Sequence, residues 1–149
     1  MGIFDEITAQ MKEAMRARHT ARLSALRNIR AAFLNEMKKD NSPALADETC
    51  VDLLRRLEKQ RKESIDAFTA AGRADQVATE SEDLAVIREF LPALADEETT
   101  RRWVKDAIDV TGAKDGKDIG RVMGAVMKSH KGEVDGTLAR TAAAELLGA

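Results

Sequence analysis

The sequence is poor in the residues that stabilise small secreted domains and strand-rich folds. It contains one cysteine, two prolines, four phenylalanines, one tryptophan and no tyrosine among 149 residues. A single cysteine excludes an intramolecular disulfide and a metal site built from several thiolates. It fits a reducing compartment, and we expect the protein to be cytoplasmic. No apolar run approaches the roughly 18 residues of a membrane span, so no membrane contact is predicted.

Charge is abundant but almost balanced, with a net charge of −2 and 34% charged residues. Its distribution along the chain is uneven. Residues 1–39 carry eight Lys/Arg and four Asp/Glu, residues 40–95 carry seven and twelve, and residues 96–149 carry nine and ten. The protein as a whole is therefore not basic, and any phosphate-binding surface has to be local.

Apolar residues recur at helical spacing along most of the chain, and the alternation typical of strands is absent. We predict a first helix that ends near Arg18 and a second helix that Thr20 caps. A third helix is predicted from Asp47 to about Ala71, and a fourth ends near Phe90.

Pro92 interrupts this pattern and indicates a linker. Three shorter helices follow, and we expect Asp96 to cap the first of them and Asp135 to cap the last. The predicted fold class is all-α, with an N-terminal helical bundle over residues 1–92 and a small three-helix tail domain over residues 96–149.

The middle helix of the tail, which we predict to run from Lys117 to an end at Gly132, contains two glycines. Gly120 and Gly124 each cost a helix roughly 1 kcal/mol relative to alanine, so another backbone is expected to approach closely there. That backbone belongs either to a neighbouring helix that crosses at the glycines or to a ligand. The apolar face of this helix is predicted to comprise Ile119, Val122, Met123, Val126 and Met127.

Residues capable of catalysis are few and scattered. Cys50 falls within a predicted helix without a glycine elbow, and His19 and His130 lie near helix ends, where a solvated or capping role is expected. The glycine-rich segment 112–120 lacks the GKS/T ending and the preceding strand of a phosphate-binding loop. No spacing indicates a metal site. The sequence predicts no cofactor and favours a protein without independent enzymatic activity.

Two basic stretches are candidates for phosphate contact. Residues 55–62, RRLEKQRK, could follow a nucleic-acid backbone, or could form a solvated helix face on which Glu58 pairs with Lys62 and Arg55. The tail helix combines positive side chains with bare glycine surface, which suits a sugar–phosphate edge recognised by shape. The candidate RNA-binding residues in the tail are Lys117, Gly120, Arg121, Gly124, Lys128 and Lys131.

Three segments of the sequence resemble the GatB/YqeY family in its free-standing YqeY-like form. They are LSALRNIRAAFLNEM at 23–37, the segment 58–92 that begins EKQRKESIDAF and ends EFLP, and IGRVMGAVM with KGEVDGTL within 119–138. The larger relative in this family is the B subunit of the tRNA-dependent amidotransferase, whose similar helical tail helps to hold tRNA. The resemblance implies an all-α bundle with a three-helix tail, and tRNA as a partner. Where the family often has proline after the tail-helix methionine, this chain has Lys128.

These observations favour a non-catalytic, tRNA-associated helical module. A protein-interaction module is the first alternative, with a helical partner docked on the bundle along its long helix or near Met11 and Met15. The second alternative is carbon–nitrogen ligase activity of the amidotransferase type, which only membership of the family suggests. The sequence does not predict the oligomeric state.

Overall fold

The computed structural model describes residues 2–148, and helices account for the regular structure of that range. It contains no strand there, so the all-α prediction is confirmed. None of the helices is long and apolar enough to cross a membrane within the described range. In chain order the α-helices are α1 (Ile3–Arg16), α2 (Thr20–Lys39), α3 (Asp47–Ala70), α4 (Ala74–Glu89), α5 (Glu97–Thr111), α6 (Ile119–Ser129) and α7 (Gly136–Leu146), with a 3₁₀ turn at Gly116–Asp118 before α6.

The chain divides into two compact units, of which the first ends at Leu91 and the second begins at Pro92. In the first unit α3 packs on α4, α1 packs on α2, and α2 also contacts α4. Large aliphatic and aromatic side chains fill its core. The fully buried ones include Ile7, Leu26, Ile29, Phe33 and Leu54.

The second unit is a three-helix arrangement in which α5, α6 and α7 each contact the other two. Its core consists mostly of small side chains, which let short helices approach closely. The fully buried members are Val104, Val122, Val126, Ala139 and Ala143. Half-buried residues such as Trp103 and Met123 pack around these positions.

Two predicted helix caps in the second unit are confirmed. The carboxylate of Asp96 accepts the N–H of Thr99 at 2.8 Å, and α5 follows directly. The carboxylate of Asp135 accepts the N–H groups of Thr137 and Leu138 at 2.8 and 3.1 Å. Both aspartates satisfy backbone donors that the first turn of a helix leaves without a partner.

The predicted boundary between the first two helices is wrong by one to two residues. α1 ends at Arg16, and Arg18 adopts a left-handed backbone conformation with φ of 57°. This reversal lets the N–H of His19 reach the carbonyl of Ala14 at 3.0 Å, as in a Schellman turn. Thr20 is consequently the first residue of α2 rather than its cap, and His19 occupies the cap position without a side-chain bond.

The middle tail helix is also shorter than predicted. A 3₁₀ turn that contains Lys117 precedes α6, which begins at Ile119 and ends at Ser129. Gly132 lies beyond the helix, in a turn where its φ is +76°. Lys117 and Lys131 therefore flank α6 instead of lying within it.

Candidate functional site

One side of α6 faces the core and the opposite side is exposed. Val122 and Val126 are buried against α5 and α7. The helix contains no acidic residue. At 100° per residue five of its exposed positions fall within an arc of about 120°, and Ser129 lies outside that arc. This exposed α6 face comprises Gly120, Arg121, Gly124, Met127 and Lys128.

Met127 departs from the predicted apolar face, because 42% of its surface is exposed. The two neighbouring helices cover Val122, Val126 and parts of Ile119 and Met123. Met127 lies at the edge of that covered arc and falls on the same side as the glycines. The exposed α6 face therefore combines bare backbone, one apolar side chain and two cations.

Neither glycine of α6 lies at a helix crossing. A Cβ atom added to Gly120 or to Gly124 would find no heavy atom within 4 Å outside its own helix and its chain neighbours. Both residues are exposed. The helix-packing interpretation of the two glycines is therefore wrong for the described part of the chain. Their surface is open to a molecule that approaches from outside.

Three lysines around this face have no charged partner. The side chains of Lys117, Lys128 and Lys131 are exposed and form no ion pair with residues 2–148. Arg121 differs, because its guanidinium lies 3.0 Å from the carboxylate of Asp118. The structure places all six predicted site residues on α6 or directly beside it, and every one is exposed.

Among the described residues, Asp118 is the acidic group that pairs with a cation of this site. Its carboxylate accepts the backbone N–H of Lys114 at 3.0 Å and the Arg121 side chain at 3.0 Å. These two hydrogen bonds, with that from Lys114 the stronger influence, lower the pKa of Asp118. An ionised Asp118 therefore offsets one of the four cations, and the three lysines remain available.

Trp103 and His130 form a contact that the sequence did not predict. The two rings are parallel to within 4°, and their centroids are 3.6 Å apart. The Nδ1 atom of His130 lies 3.2 Å from the Glu133 carboxylate. His130 follows the last residue of α6 and Trp103 lies on α5, so a separation of 27 positions hides the pair from any local pattern. Of the two roles expected for His130, the structure favours capping. The residue occupies the C-cap of α6, where its N–H donates to the Val126 carbonyl, and its ring is engaged by Trp103 and Glu133.

The basic stretch 55–62 of α3 has acidic partners on the neighbouring helix. Arg61 donates to Glu80 of α4 at 3.0 Å, and its Nε atom is 3.9 Å from Asp83. These three side chains are largely buried, with 15 to 23% of their surface exposed. The charge of Arg61 is therefore used inside the first unit, and it is not offered to an external phosphate.

Glu58 has a similar role in the same stretch. It pairs with Arg55 at 3.4 Å, as predicted, but its other oxygen accepts from Arg88 of α4 at 3.1 Å. The predicted pair between Glu58 and Lys62 does not form among the described residues, because α4 brings Arg88 to the carboxylate first. The solvated face that remains on this stretch consists of Arg56, Lys59, Gln60 and Lys62.

A cavity of about 30 Å³ lies between α2, α3 and α4, with Asn28, Arg61 and Asp83 among its lining residues. This volume has room for about one water molecule and not for an organic substrate. Burial raises the pKa of Asp83, and the Arg61 charge only partly opposes that rise. The cavity is therefore a feature of helix packing and not a catalytic cleft.

The described residues offer little chemistry for catalysis. Cys50 is 0% exposed, and burial raises the pKa of its thiol. A nucleophilic cysteine requires the opposite environment, which is accessible and lowers the thiol pKa. No group of three or more His, Cys, Asp or Glu side chains that could hold a metal ion occurs between residues 2 and 148.

Comparison with known proteins identifies the family. The family model described as Yqey-like protein matches residues 4–147. A protein of Pyrenophora tritici-repentis named "Altered inheritance of mitochondria protein 41, mitochondrial" is 31% identical over 152 residues, which cover 99% of this chain and 82% of the relative. A Saccharomyces cerevisiae protein of the same name is 27% identical over 125 residues, or 80% of this chain and 68% of the relative. Because the family model spans almost the whole chain, the protein belongs to the YqeY-like family.

Proposed function

We propose that this protein is a non-catalytic, tRNA-associated helical module that contacts the sugar–phosphate backbone of folded tRNA through the exposed α6 face and its flanking lysines. One observation carries the proposal. Gly120 and Gly124 lie on an exposed helix surface with no atom of another element against them. That helix has no acidic residue, and unpaired lysines stand at its ends.

The two glycines of α6 weaken the helix that contains them. Each glycine destabilises a helix interior by roughly 1 kcal/mol relative to alanine, and no packing inside the second unit compensates for that loss. A bare backbone allows a sugar–phosphate chain to lie close to the helix axis. Lys117, Lys128 and Lys131 then act as point charges for neighbouring phosphates.

The environment of Trp103 favours recognition by shape rather than by base stacking. Trp103 is half-buried and stacks on His130, so its ring is already engaged. Single-strand binders depend on aromatic rings that are free to stack on bases. The resemblance of this tail to that of the amidotransferase B subunit supports tRNA as the class of folded RNA.

Salt dependence follows from the number of phosphate contacts. With roughly four contacts, affinity should fall on the order of a hundredfold when salt rises from about 50 to 200 mM. We therefore expect measurable binding at low salt and weak binding at physiological salt. The salt slope is the change in the logarithm of affinity per unit change in the logarithm of salt concentration. A small salt slope would contradict binding through phosphate contacts.

The test is a titration of folded tRNA at both salt concentrations with two matched double variants. Lys128→Glu/Lys131→Glu reverses two exposed charges at the proposed site. Lys59→Glu/Lys62→Glu makes the same change, at the same spacing, on the solvated face of α3. We expect the first variant to abolish binding at low salt and the second to retain it. Binding that is indifferent to the first variant, or lost only with the second, contradicts the proposed site.

The proposal includes no amidotransferase activity for the chain alone. The burial of Cys50 and the raised pKa of its thiol support this view. Release of ammonia from glutamine by the purified protein would contradict it. We also retain the cytoplasm as the proposed compartment, which the lone free cysteine supports; the two fungal relatives carry a mitochondrial designation in their names.

We further propose that the two units are separate domains, an N-terminal bundle and a three-helix tail. Each unit has its own buried cluster, which supports independent cores. The chain provides one probe for each, because its single cysteine, Cys50, lies in the first unit and its single tryptophan, Trp103, lies in the second. Thiol reactivity and tryptophan fluorescence should give different urea midpoints. Coincident midpoints would indicate one cooperative unit.

Docking of a helical partner on the bundle is the weaker proposal. Met11 packs partly against the core of the first unit, and Met15 is 54% exposed. One exposed methionine is an ordinary feature of a protein surface. Recovery of a single protein partner, without RNA and with loss on Met15→Glu, would favour this alternative.

A further inference from the structure

The turn between α6 and α7 holds Lys131 on a well-tethered backbone. The N–H of His130 donates to the Val126 carbonyl at 2.9 Å, and the N–H of Glu133 donates to the His130 carbonyl at 3.0 Å. The Glu133 carbonyl in turn accepts the N–H of Ala95 at 2.8 Å. Val134, which follows, is buried. Lys131 therefore projects from a turn that is attached both to α6 and to the segment before α5.

The His130 ring adds a side-chain attachment at the end of α6. It lies flat on Trp103 of α5 at 3.6 Å and meets the Glu133 carboxylate through Nδ1 at 3.2 Å. The last turn of a helix otherwise frays, because its carbonyls lack intrahelical partners. Lys128 belongs to that last turn. The stack thus connects the two lysines at this end of the site to α5.

We infer that His130, held against Trp103, is a positioning residue that keeps Lys128 and Lys131 oriented toward the same phosphate backbone. This inference rests on the proposed function. An ordered turn loses less conformational entropy when RNA binds, and such pre-organisation increases affinity without a new contact. The hydrogen bond from His130 has a second effect. It engages the Glu133 carboxylate, which lies two positions after Lys131 and would otherwise be free to pair with it.

The matched variants for this inference are His130→Ala, His130→Phe and His19→Ala. His130→Ala removes the stack, and His130→Phe retains an aromatic ring against Trp103. His19→Ala removes the other histidine of the chain, which is exposed and makes no cap bond. Because the imidazole of His130 is partly exposed, we expect all three variants to fold, and far-UV circular dichroism checks this.

Affinity for tRNA at about 50 mM salt should fall about fivefold in His130→Ala, since ordering one flexible group costs about 1 kcal/mol. His130→Phe should retain most of the affinity, and His19→Ala should retain all of it. The salt slope distinguishes positioning from direct contact. It should stay unchanged in His130→Ala, whereas each lost phosphate contact lowers it by roughly 0.7 to 0.9. Emission of Trp103 should change in His130→Ala, which reports the lost stack.

Three results would overturn the inference. Unchanged affinity in a folded His130→Ala variant with altered Trp103 emission means that the stack does not position the lysines. A salt slope lower by about one unit makes His130 a phosphate contact instead. An equal loss in His130→Phe means that the ring stack on Trp103 is not what positions the lysines. If tRNA binding is indifferent to Lys128→Glu/Lys131→Glu, the proposed function fails as well; if only the His130 variants are without effect, the inference alone fails.

Discussion

The cations of α3 and the cations around α6 differ in what the neighbouring helices bring against them. In the first unit the acidic half of α4 packs along α3 and supplies Glu80 and Asp83 to Arg61. In the second unit α6 contacts its neighbours through valine, alanine and other apolar side chains. No acidic group of the described chain reaches Lys128 or Lys131. Packing on α4 therefore neutralises Arg61 of the α3 stretch, although Arg56, Lys59 and Lys62 stay exposed there. Around α6, no acid of α5 or α7 within the described residues pairs with a cation.

Local charge is a poor guide to a binding surface until the opposing helix is known. Arg61 is largely buried, and its ion pairs belong to the packing of α3 on α4. Arg121 is 60% exposed, and its pair with Asp118 is a local surface contact. The first arrangement contributes to folding, whereas the second leaves charge on the surface.

The largest effect that separates the two regions is expected from the arginines. Arg61→Met leaves Glu80 and Asp83 largely buried without their cation, which should lower the free energy of unfolding by about 2 kcal/mol. Arg121→Met removes an exposed pair and should cost less than about 0.5 kcal/mol. Urea unfolding, followed by Cys50 reactivity for the first variant and Trp103 fluorescence for the second, measures both. If Arg61→Met and Arg121→Met lowered the free energy of unfolding equally, the distinction between the two regions would be contradicted.

The glycines of α6 should give a smaller effect of opposite sign. Gly120→Ala and Gly124→Ala place a methyl group in open space on a helix, so each should stabilise the second unit by up to about 1 kcal/mol. The same changes should weaken tRNA binding, because they obstruct close approach of the backbone. Trp103 fluorescence in urea and tRNA titration measure the two outcomes.

Gly132→Ala provides the control for the glycine variants. Gly132 also has open space around its Cβ position, but its φ of +76° is unfavourable for alanine, and this change should destabilise the second unit by roughly 1 kcal/mol. Destabilisation by Gly120→Ala would indicate a packing contact. Gains in stability with unchanged tRNA affinity would show that the two glycines do not serve the proposed site.

Much of the fold could be predicted because local signals decide it. Helical periodicity identified the helices, and Asp96 and Asp135 marked two starts because a carboxylate satisfies the same backbone donors in any context. Helix ends were less certain. Arg18 adopts a left-handed conformation, which the residue type does not predict because arginine rarely adopts it. The cap of α2 is therefore His19 and not the predicted Thr20.

The exposure of the six candidate residues agrees with the sequence prediction, but their surroundings could not be predicted. Periodicity placed Met127 on the apolar face, although the width of the covered arc depends on how α5 and α7 flank α6. The partner of Arg61 lies 19 positions away and the ring that stacks on His130 lies 27 positions away. Such contacts depend on helix packing, and no spacing within a single helix encodes them.

A smaller effect is expected from the pH dependence of Asp83 in the first unit. Burial raises the pKa of Asp83, against the opposing charge of Arg61 and with a further rise from Glu80. The folded state therefore binds this proton more tightly than the unfolded state. The stability that this tighter binding contributes is fully present below the unfolded pKa of about 4, and it is lost as pH rises through the folded pKa. Relative to the unchanged protein, Asp83→Asn should gain stability across that window. Urea midpoints at several pH values measure the gain, and a constant difference would contradict the assignment.

The pH dependence of stability that arises from Asp118, in the second unit, should have the opposite sign and the smallest size. Hydrogen bonds from Lys114 and Arg121 lower the pKa of Asp118, so its contribution is present above the unfolded pKa and is lost as pH falls through the folded pKa. Asp118→Asn removes this contribution and also frees Arg121 for phosphate. We expect tRNA affinity at low salt to rise about threefold, with a salt slope steeper by up to about one unit.

The control for Asp118→Asn is Asp115→Asn, which removes the same charge from the same loop. The Asp115 carboxylate accepts the backbone N–H of Lys117 and does not pair with Arg121. It should therefore raise affinity less than Asp118→Asn and leave the salt slope nearly unchanged. If both variants raise affinity equally, net charge alone explains the gain and Arg121 does not bind phosphate. If only Asp118→Asn steepens the slope, Arg121 joins the three lysines as a cation that α6 offers to RNA, whereas Arg61 of α3 stays paired within its own unit.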